Sequence, residues 1–313
     1  MKTAILNPQG FELRDVETPS FSENEVLVKT TACGVCSGDV FVYQTRSDND
    51  IHDLVLGHEA TGVIVAAGQN IQDFAEGDLV TALGGAYADY FAISPEQLAK
   101  VPDSIDPLHA LGEPIACCVH AGNRFGIQPG DRVAVAGCGF MGLICMQLAK
   151  YQGAGHICAI DPMAYRREMS LQLGADEALH PDEVQVKDRW EGEFEVVIEA
   201  AGVQSVVDIC SDLVKQHGRL ILIGYHQSKG GMRSVDMKLW NYKAIDVVNG
   251  HIRRETEKLE AMRQGMTLMH EGHLITEPLV TLYNLEDVTQ AFHDLTSGKE
   301  GLFKAVITTD SGG

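Results

Sequence analysis

The apolar positions of the first 120 residues fall in short runs rich in β-branched side chains, each bounded by turn formers. Residues 25–31 and 60–66 are such runs, and Gly77-Asp78 opens another at 79–81. Runs of this kind predict strands. From about residue 130 the pattern becomes short apolar runs separated by segments of helical length and spacing. Strands are predicted at 132–136, 156–160, 194–198, 219–223 and 244–248, with helices at 140–151, 164–173 and 205–215. Repeated β-α-β units imply a parallel sheet covered on both faces. A charged helix over 254–269, a strand, a short helix and a terminal strand at 304–308 follow, and a frayed tail is expected at 310–313. The expected fold class is α/β.

Composition narrows the picture. A chain of 313 residues, 45% apolar and 22% charged, suits two domains, each with its own core. The formal net charge of −20 argues against a general nucleic-acid or anionic-membrane binder, which needs a basic surface. No apolar run approaches the roughly 18 residues of a membrane span. The N-terminus lacks the apolar region of a signal peptide, so a cytoplasmic location is expected. The eight cysteines are then expected as thiols or metal ligands rather than disulfides.

Two sets of residues carry candidate chemistry. Gly137, Gly139 and Gly142 form a G-x-G-x-x-G between a predicted strand and a predicted helix. That context fits a pyrophosphate held at a helix N-terminus, with Phe140 and Met141 inside the loop. Asp161 ends the second predicted strand, 19 residues beyond Gly142. A carboxylate there accepts from ribose hydroxyls and repels a 2′-phosphate, which favours NAD over NADP. It also suits a helix N-cap, and Arg166 and Arg167 offer charge to a phosphate. The second set is Cys33-x-x-Cys36, His58-Glu59 and Glu113 with Cys117, all zinc-compatible donor types. On spacing alone, Cys33 and Cys36 also fit a redox dithiol.

Several further motifs occur in order. They are Gly34-Val35-Cys36, Gly57-His58-Glu59-Ala60-Thr61-Gly62, Gly77-Asp78-Leu79-Val80, Glu113-Pro114-Ile115, the glycine loop, Glu199-Ala200-Ala201-Gly202, Gly218-Arg219-Leu220 and Lys304-Ala305-Val306-Ile307. Together they make the whole chain resemble the zinc-dependent medium-chain dehydrogenase/reductase family, nearest its sorbitol (polyol) dehydrogenase branch. The resemblance implies a GroES-like catalytic domain from residues 1–120 and 254–313 and a Rossmann NAD-binding domain from 121–253. It implies an enzyme moving hydride between NAD and a secondary alcohol of polyol, cyclitol or sugar type, bound in a cleft between the domains. It also implies one catalytic zinc per chain and a homodimer or homotetramer, with no nucleic-acid or membrane partner.

Carried over by motif, Cys36 and His58 become zinc ligands and Asp39 orients the His58 imidazole. Glu113 is the favoured third ligand, with Glu59 able to exchange into the shell and Cys117 as the rival. Two arguments favour Glu113: Pro114 biases it toward extended backbone, and alternation along a strand aims Glu59 away from His58. Cofactor contacts fall on Gly137, Gly139, Phe140, Met141, Gly142, Asp161, Arg166 and Ala200. The four-cysteine lobe of larger relatives is missing, so no structural zinc is expected. Gly38 replaces the usual relay hydroxyl and Phe41 a relay histidine, leaving Ser37, Glu59, water or the substrate's own hydroxyls for the proton path. Ser37, Asp39, Tyr43, His251 and Arg253 suit a hydroxyl-rich substrate. The competing readings are a zinc-free NADPH-dependent enone or quinone reductase of the same superfamily and a non-catalytic binding protein of this fold.

Overall fold

The computed structural model describes residues 1–46, 52–184 and 192–309; the expected frayed tail lies outside them. The chain divides into two compact units. One holds Met1–Ala116, Arg254–Glu271 and the chain from Thr276 onward, and the other holds Cys117–Arg253 with Gly272–Ile275.

The first unit begins with β1 (Lys2–Asn7), β2 (Gly10–Asp15), β3 (Val26–Gly34), α1 (Ser37–Thr45), β4 (Leu54–Val55), β5 (Ala60–Ala67), β6 (Leu79–Ala82), β7 (Tyr90–Ile93) and β8 (Leu98–Lys100). Helix α2 (Gly112–Gly122) then carries the chain into the second unit. That unit alternates β9 (Arg132–Ala136), α3 (Phe140–Tyr151), β10 (His156–Ile160), α4 (Ala164–Gln172), β11 (Glu177–Leu179), α5 (Pro181–Val184), β12 (Phe194–Glu199), α6 (Gln204–Leu213), β13 (Val214–Leu222), α7 (Met237–Lys243) and β14 (Asp246–Asn249). The first unit is completed by α8 (Glu255–His270), β15 (Val280–Asn284), α9 (Val288–Thr296) and β16 (Lys304–Thr308).

The second unit's sheet runs β11-β10-β9-β12-β13-β14, and every pairing is parallel. This is the 3-2-1-4-5-6 strand order of a Rossmann fold. Its central strands β9, β10 and β12 are almost wholly buried, as strands covered on both faces are, while the edge strand β14 is mostly exposed. In the first unit, β15-β16-β3-β5-β6-β8 form one sheet with β7 added to β3, and β2-β1-β4 form a smaller one. Strand β3 alternates buried and half-buried residues as far as Thr31, and its last three residues, Ala32, Cys33 and Gly34, are all buried. Strand β16 is buried throughout, including its opening lysine, Lys304.

Two helices arise where the N-terminal region was read as strands. In α1, Cys36 is the N-cap: its sulfur accepts from the Gly38 N–H at 3.4 Å, while Asp39 accepts from the Cys36 N–H at 3.4 Å. This reciprocal capping is what starts the helix. In α2, Pro114 stands in the first turn, where no N–H is required, so Glu113 is helical rather than extended. The helix predicted to reach 215 stops at Leu213, because buried Val214 takes extended backbone and begins β13.

Candidate metal centre and nucleotide loop

Cys36 enters the candidate metal centre from the N-terminus of α1. His58 and Glu59 enter from the turn before β5. Gly57 sits at φ +107°, where a Cβ would come within 2.8 Å of the Tyr87 backbone nitrogen, so only glycine fits this bend. The bend keeps His58 and Glu59 out of the regular strand. Strand alternation therefore does not apply to them, and both can face one point. One donor atom each from Cys36, His58 and Glu59 lie within 4.8 Å of one another, the one such cluster among the described residues.

Asp39 lies behind His58, with Oδ1 3.5 Å from Nδ1. Asp39 is itself held by the Tyr87 hydroxyl, which donates to Oδ2 at 2.7 Å. Tyr87 is fully buried and packs edge-on against Phe11 and Phe292, at centroid distances of 6.3 and 5.9 Å. Asp39 first and Cys36 second push the His58 imidazole up to about 11. Burial pushes the Tyr87 phenol well up, so it stays a donor.

Glu59 is fully buried and meets the Lys304 ammonium at 2.5 Å. Burial pushes the Glu59 carboxyl up while Lys304 pulls it back. Burial pulls Lys304 down, but Glu59, then Cys36 and Glu113, more than offset it and its net shift is upward. Gly34 makes room for this pair: a Cβ there would sit 2.1 Å from Glu59 Oε2 and 2.9 Å from Lys304 Cε.

Glu113 is not in the cluster. Its carboxylate forms an ion pair with Lys258, from the first turns of α8. The structure thus brings Glu59, rather than the favoured Glu113, to Cys36 and His58. Cys117 lies on α2 in the portion belonging to the second unit. Ser37 is exposed at the start of α1, and Phe41 is 44% exposed. The Tyr43 ring stacks on Phe11 at a centroid distance of 5.6 Å.

In the second unit the three loop glycines have different tasks. Gly137 is at φ +98°, and a Cβ on Gly142 would lie 1.9 Å from the Gly137 carbonyl oxygen. Those two build the turn and the close helix–strand packing. At Gly139 a Cβ would meet only Arg166 Nη1, at 4.0 Å. Gly139 is also the N-cap of α3 and supplies no capping side chain, so the amides of Phe140 and Met141 open the helix. Asp161 accepts from the Cys138 N–H at 2.8 Å and the Met163 N–H at 2.9 Å, with Arg166 Nη1 3.7 Å from Oδ2. It braces the glycine loop; the N-cap of α4 is Met163. The Ala200 N–H bonds to the Ala136 carbonyl at 2.8 Å. His251 and Arg253 belong to this unit, where His251 Nε2 lies 3.3 Å from the Gly224 carbonyl.

Three residues around the centre had been given no role in it from the sequence. Lys304 had a signal, a lysine opening an otherwise apolar strand. Tyr87 and Lys258 had none, since nothing local separates them from ordinary strand and helix residues.

Comparison with known proteins agrees with this fold. The alcohol dehydrogenase GroES-like domain matches residues 22–103, and the zinc-binding dehydrogenase domain matches 141–268. An L-threonine 3-dehydrogenase from Pseudoalteromonas atlantica is 27% identical over 337 aligned positions, covering 95% of this chain and 96% of its own. A putative zinc-binding dehydrogenase from Sinorhizobium meliloti 1021, solved bound to NADP, superposes with a TM-score of 0.87 at 24% identity over 98% of this chain and 99% of that one. An alcohol dehydrogenase from Thermus sp. ATN1 gives 0.84 at 22% identity, over 99% and 100%. Fold and motifs together define a GroES-like domain joined to a Rossmann domain. The chain belongs to the zinc-type medium-chain dehydrogenase/reductase family and is an alcohol-type oxidoreductase.

Proposed function

We propose that this protein is a zinc-dependent dehydrogenase that moves hydride between a hydroxyl-rich secondary alcohol and NAD, with one zinc per chain. The observation that carries the reading is the convergence of the Cys36, His58 and Glu59 donor atoms within 4.8 Å. A thiolate, an imidazole and a carboxylate suit zinc, and three protein donors leave a position for substrate. Charge supports the fit. With Cys36 as thiolate, Cys36, Asp39, Glu59 and Glu113 place four negative charges near Lys258 and Lys304, and a dication closes the difference.

When bound, zinc supplies Lewis acidity toward the alcohol oxygen, and the nicotinamide supplies the hydride acceptor. The chain's own residues do the positioning. Tyr87 fixes Asp39, and Asp39 fixes the ring of His58. Lys304 meets Glu59 at the cluster and opposes the upward push of burial on its carboxyl. Gly139 leaves open the space that a pyrophosphate needs beside the amides of α3. The negative charge of Asp161 favours NAD, with Arg166 3.7 Å away as the opposing influence.

The exposed Ser37 and the absence of a hydroxyl at position 38 leave the alcohol proton to water or to the substrate's own hydroxyls. The test is metal analysis of purified protein, joined to a polyol and cyclitol panel assayed with NAD and with NADP. One zinc per chain and higher kcat/KM with NAD are expected. Turnover of enones by metal-stripped protein with NADPH overturns the reading.

A further inference from the structure

Glu113 and Lys258 are built to meet. Gly112 donates its N–H to Thr81 Oγ1 at 2.8 Å, which anchors the start of α2 against β6. A Cβ on Gly112 would lie 2.7 Å from Met262 Sδ, so the bare glycine lets α8 come close. Met262 and Lys258 are four residues apart and share a face of α8. The contact that seats Met262 on Gly112 therefore delivers the Lys258 ammonium to Glu113, the next residue. Both side chains are mostly buried, at 22% and 11% exposure. A buried carboxylate paired in this way does not leave its partner without cost. Glu113 nevertheless remains within electrostatic reach of both Glu59 and Lys304.

We propose that Lys258 decides which carboxylate completes the zinc shell. By holding Glu113 in an ion pair it leaves Glu59 as the ligand beside Cys36 and His58, and loss of the ammonium releases Glu113 to the metal. The inference rests on the reading that Cys36 and His58 hold zinc. Lys258 acts here as a positioning residue: it controls access of a competing ligand to the metal and touches no reacting atom.

The test uses the full-length chain, stripped of metal and titrated with zinc against a chromophoric chelator, with cobalt(II) absorption spectra as a second readout. Lys258→Met is expected to tighten zinc by about tenfold, within the range that metal-site neighbours command, and to change the cobalt spectrum. Glu113→Gln alone should stay within about threefold of wild type, and the double variant Lys258→Met/Glu113→Gln should return to wild-type affinity and spectrum. Lys258→Arg, which keeps the charge, should bind as wild type.

The double variant separates ligand release from plain charge repulsion. If the tightening persists without the Glu113 carboxylate, Lys258 acts only through space and the proposal fails. It also fails if Glu113→Gln alone weakens zinc by about tenfold or more, or if Lys258→Met leaves affinity unchanged or lowered in a variant whose unfolding shows it folded. Cys36→Ser judges the underlying reading separately. Wild-type affinity in that variant removes the zinc site itself, whatever Lys258 does.

Discussion

Replacing Lys304 with methionine tests the electrostatic account of the centre most directly. Methionine approximates the aliphatic stem of lysine and removes the ammonium that meets the buried Glu59 at 2.5 Å. Breaking a buried ion pair from one side costs about 3–5 kcal/mol, because the remaining charge stays out of water. Burial already pushes Glu59 upward, and without Lys304 it rises further, so the carboxyl takes up a proton and caps the loss near the lower figure. A loss of about 3 kcal/mol in a unit of this size lowers its melting temperature by roughly 6–12 °C. Zinc should reverse much of this, since the metal supplies the positive charge that Glu59 has lost. The assay is calorimetry of metal-stripped and zinc-loaded wild type and variant. The stripped variant should melt lower, and zinc should raise its melting temperature by more than it raises that of wild type. If the stripped variant melts within about 2 °C of wild type, the pair does not hold the centre together and the reasoning is wrong.

Gly34→Ala places a Cβ 2.1 Å from Glu59 Oε2, so zinc affinity should drop at least about tenfold in chelator competition while the strand pairing of β3 survives. Gly139→Ala should leave stability within about 0.5 kcal/mol yet weaken NAD binding by calorimetry at least about tenfold, because its Cβ meets no protein atom closer than 4.0 Å. Gly142→Ala, 1.9 Å from the Gly137 carbonyl oxygen, should instead destabilise the fold itself, and matching behaviour of the two variants contradicts the assignment. With His58 pushed up to about 11 by Asp39 and Cys36, zinc must displace a proton there throughout the neutral range. Zinc affinity should therefore rise with pH between about 6 and 8 by roughly tenfold per unit for each proton displaced; a flat profile contradicts this. Asp161→Asn removes the charge and keeps an acceptor for one of the two amides, Cys138 or Met163, which bond to different carboxylate oxygens. At about 6 Å and an effective dielectric of about 20 the charge is worth ~3 kcal/mol against a phosphate, roughly halved by Arg166, so the NADP-to-NAD ratio of kcat/KM should rise about tenfold.

Five of the six strands of the parallel sheet were legible because they are short apolar runs; β11 (Glu177–Leu179), only three residues long, was not, and β13 and β14 were placed with shifted bounds. Predicted and observed bounds coincide at Arg132–Ala136, Phe140–Tyr151 and His156–Ile160. The helices α1 and α2 were not, and both failures are local. The start of α1 rests on a cysteine acting as N-cap with aspartate three residues later, a capping box in unfamiliar residues. The start of α2 rests on a proline whose usual reading is a break. The site divides in the same way. Cys36, His58 and the glycine loop could be named from motif and spacing. That Glu59 rather than Glu113 stands beside Cys36 and His58 could not, because it follows from Gly57 bending the chain before β5 and from the pairing of Glu113 with Lys258, far off in sequence.

That dependence has a physical consequence for how the centre works. Its two buried carboxylates, Asp39 and Glu59, each draw on a partner from a distant element. Asp39 on α1 is held by Tyr87, from the segment before β7, and Glu59, from before β5, is met by Lys304 on β16. Strand β3 lies between β16 and β5 in the sheet and supplies Gly34, the position that must stay bare for the Glu59–Lys304 contact. A metal held here is therefore linked to the pairing of three strands, and disturbing the sheet some distance from Cys36 should loosen the metal before it unfolds the unit. The converse holds as well. Binding that occurs only in the folded arrangement stabilises that arrangement by mass action, so zinc bound at Cys36, His58 and Glu59 would add its free energy to the same sheet that positions them.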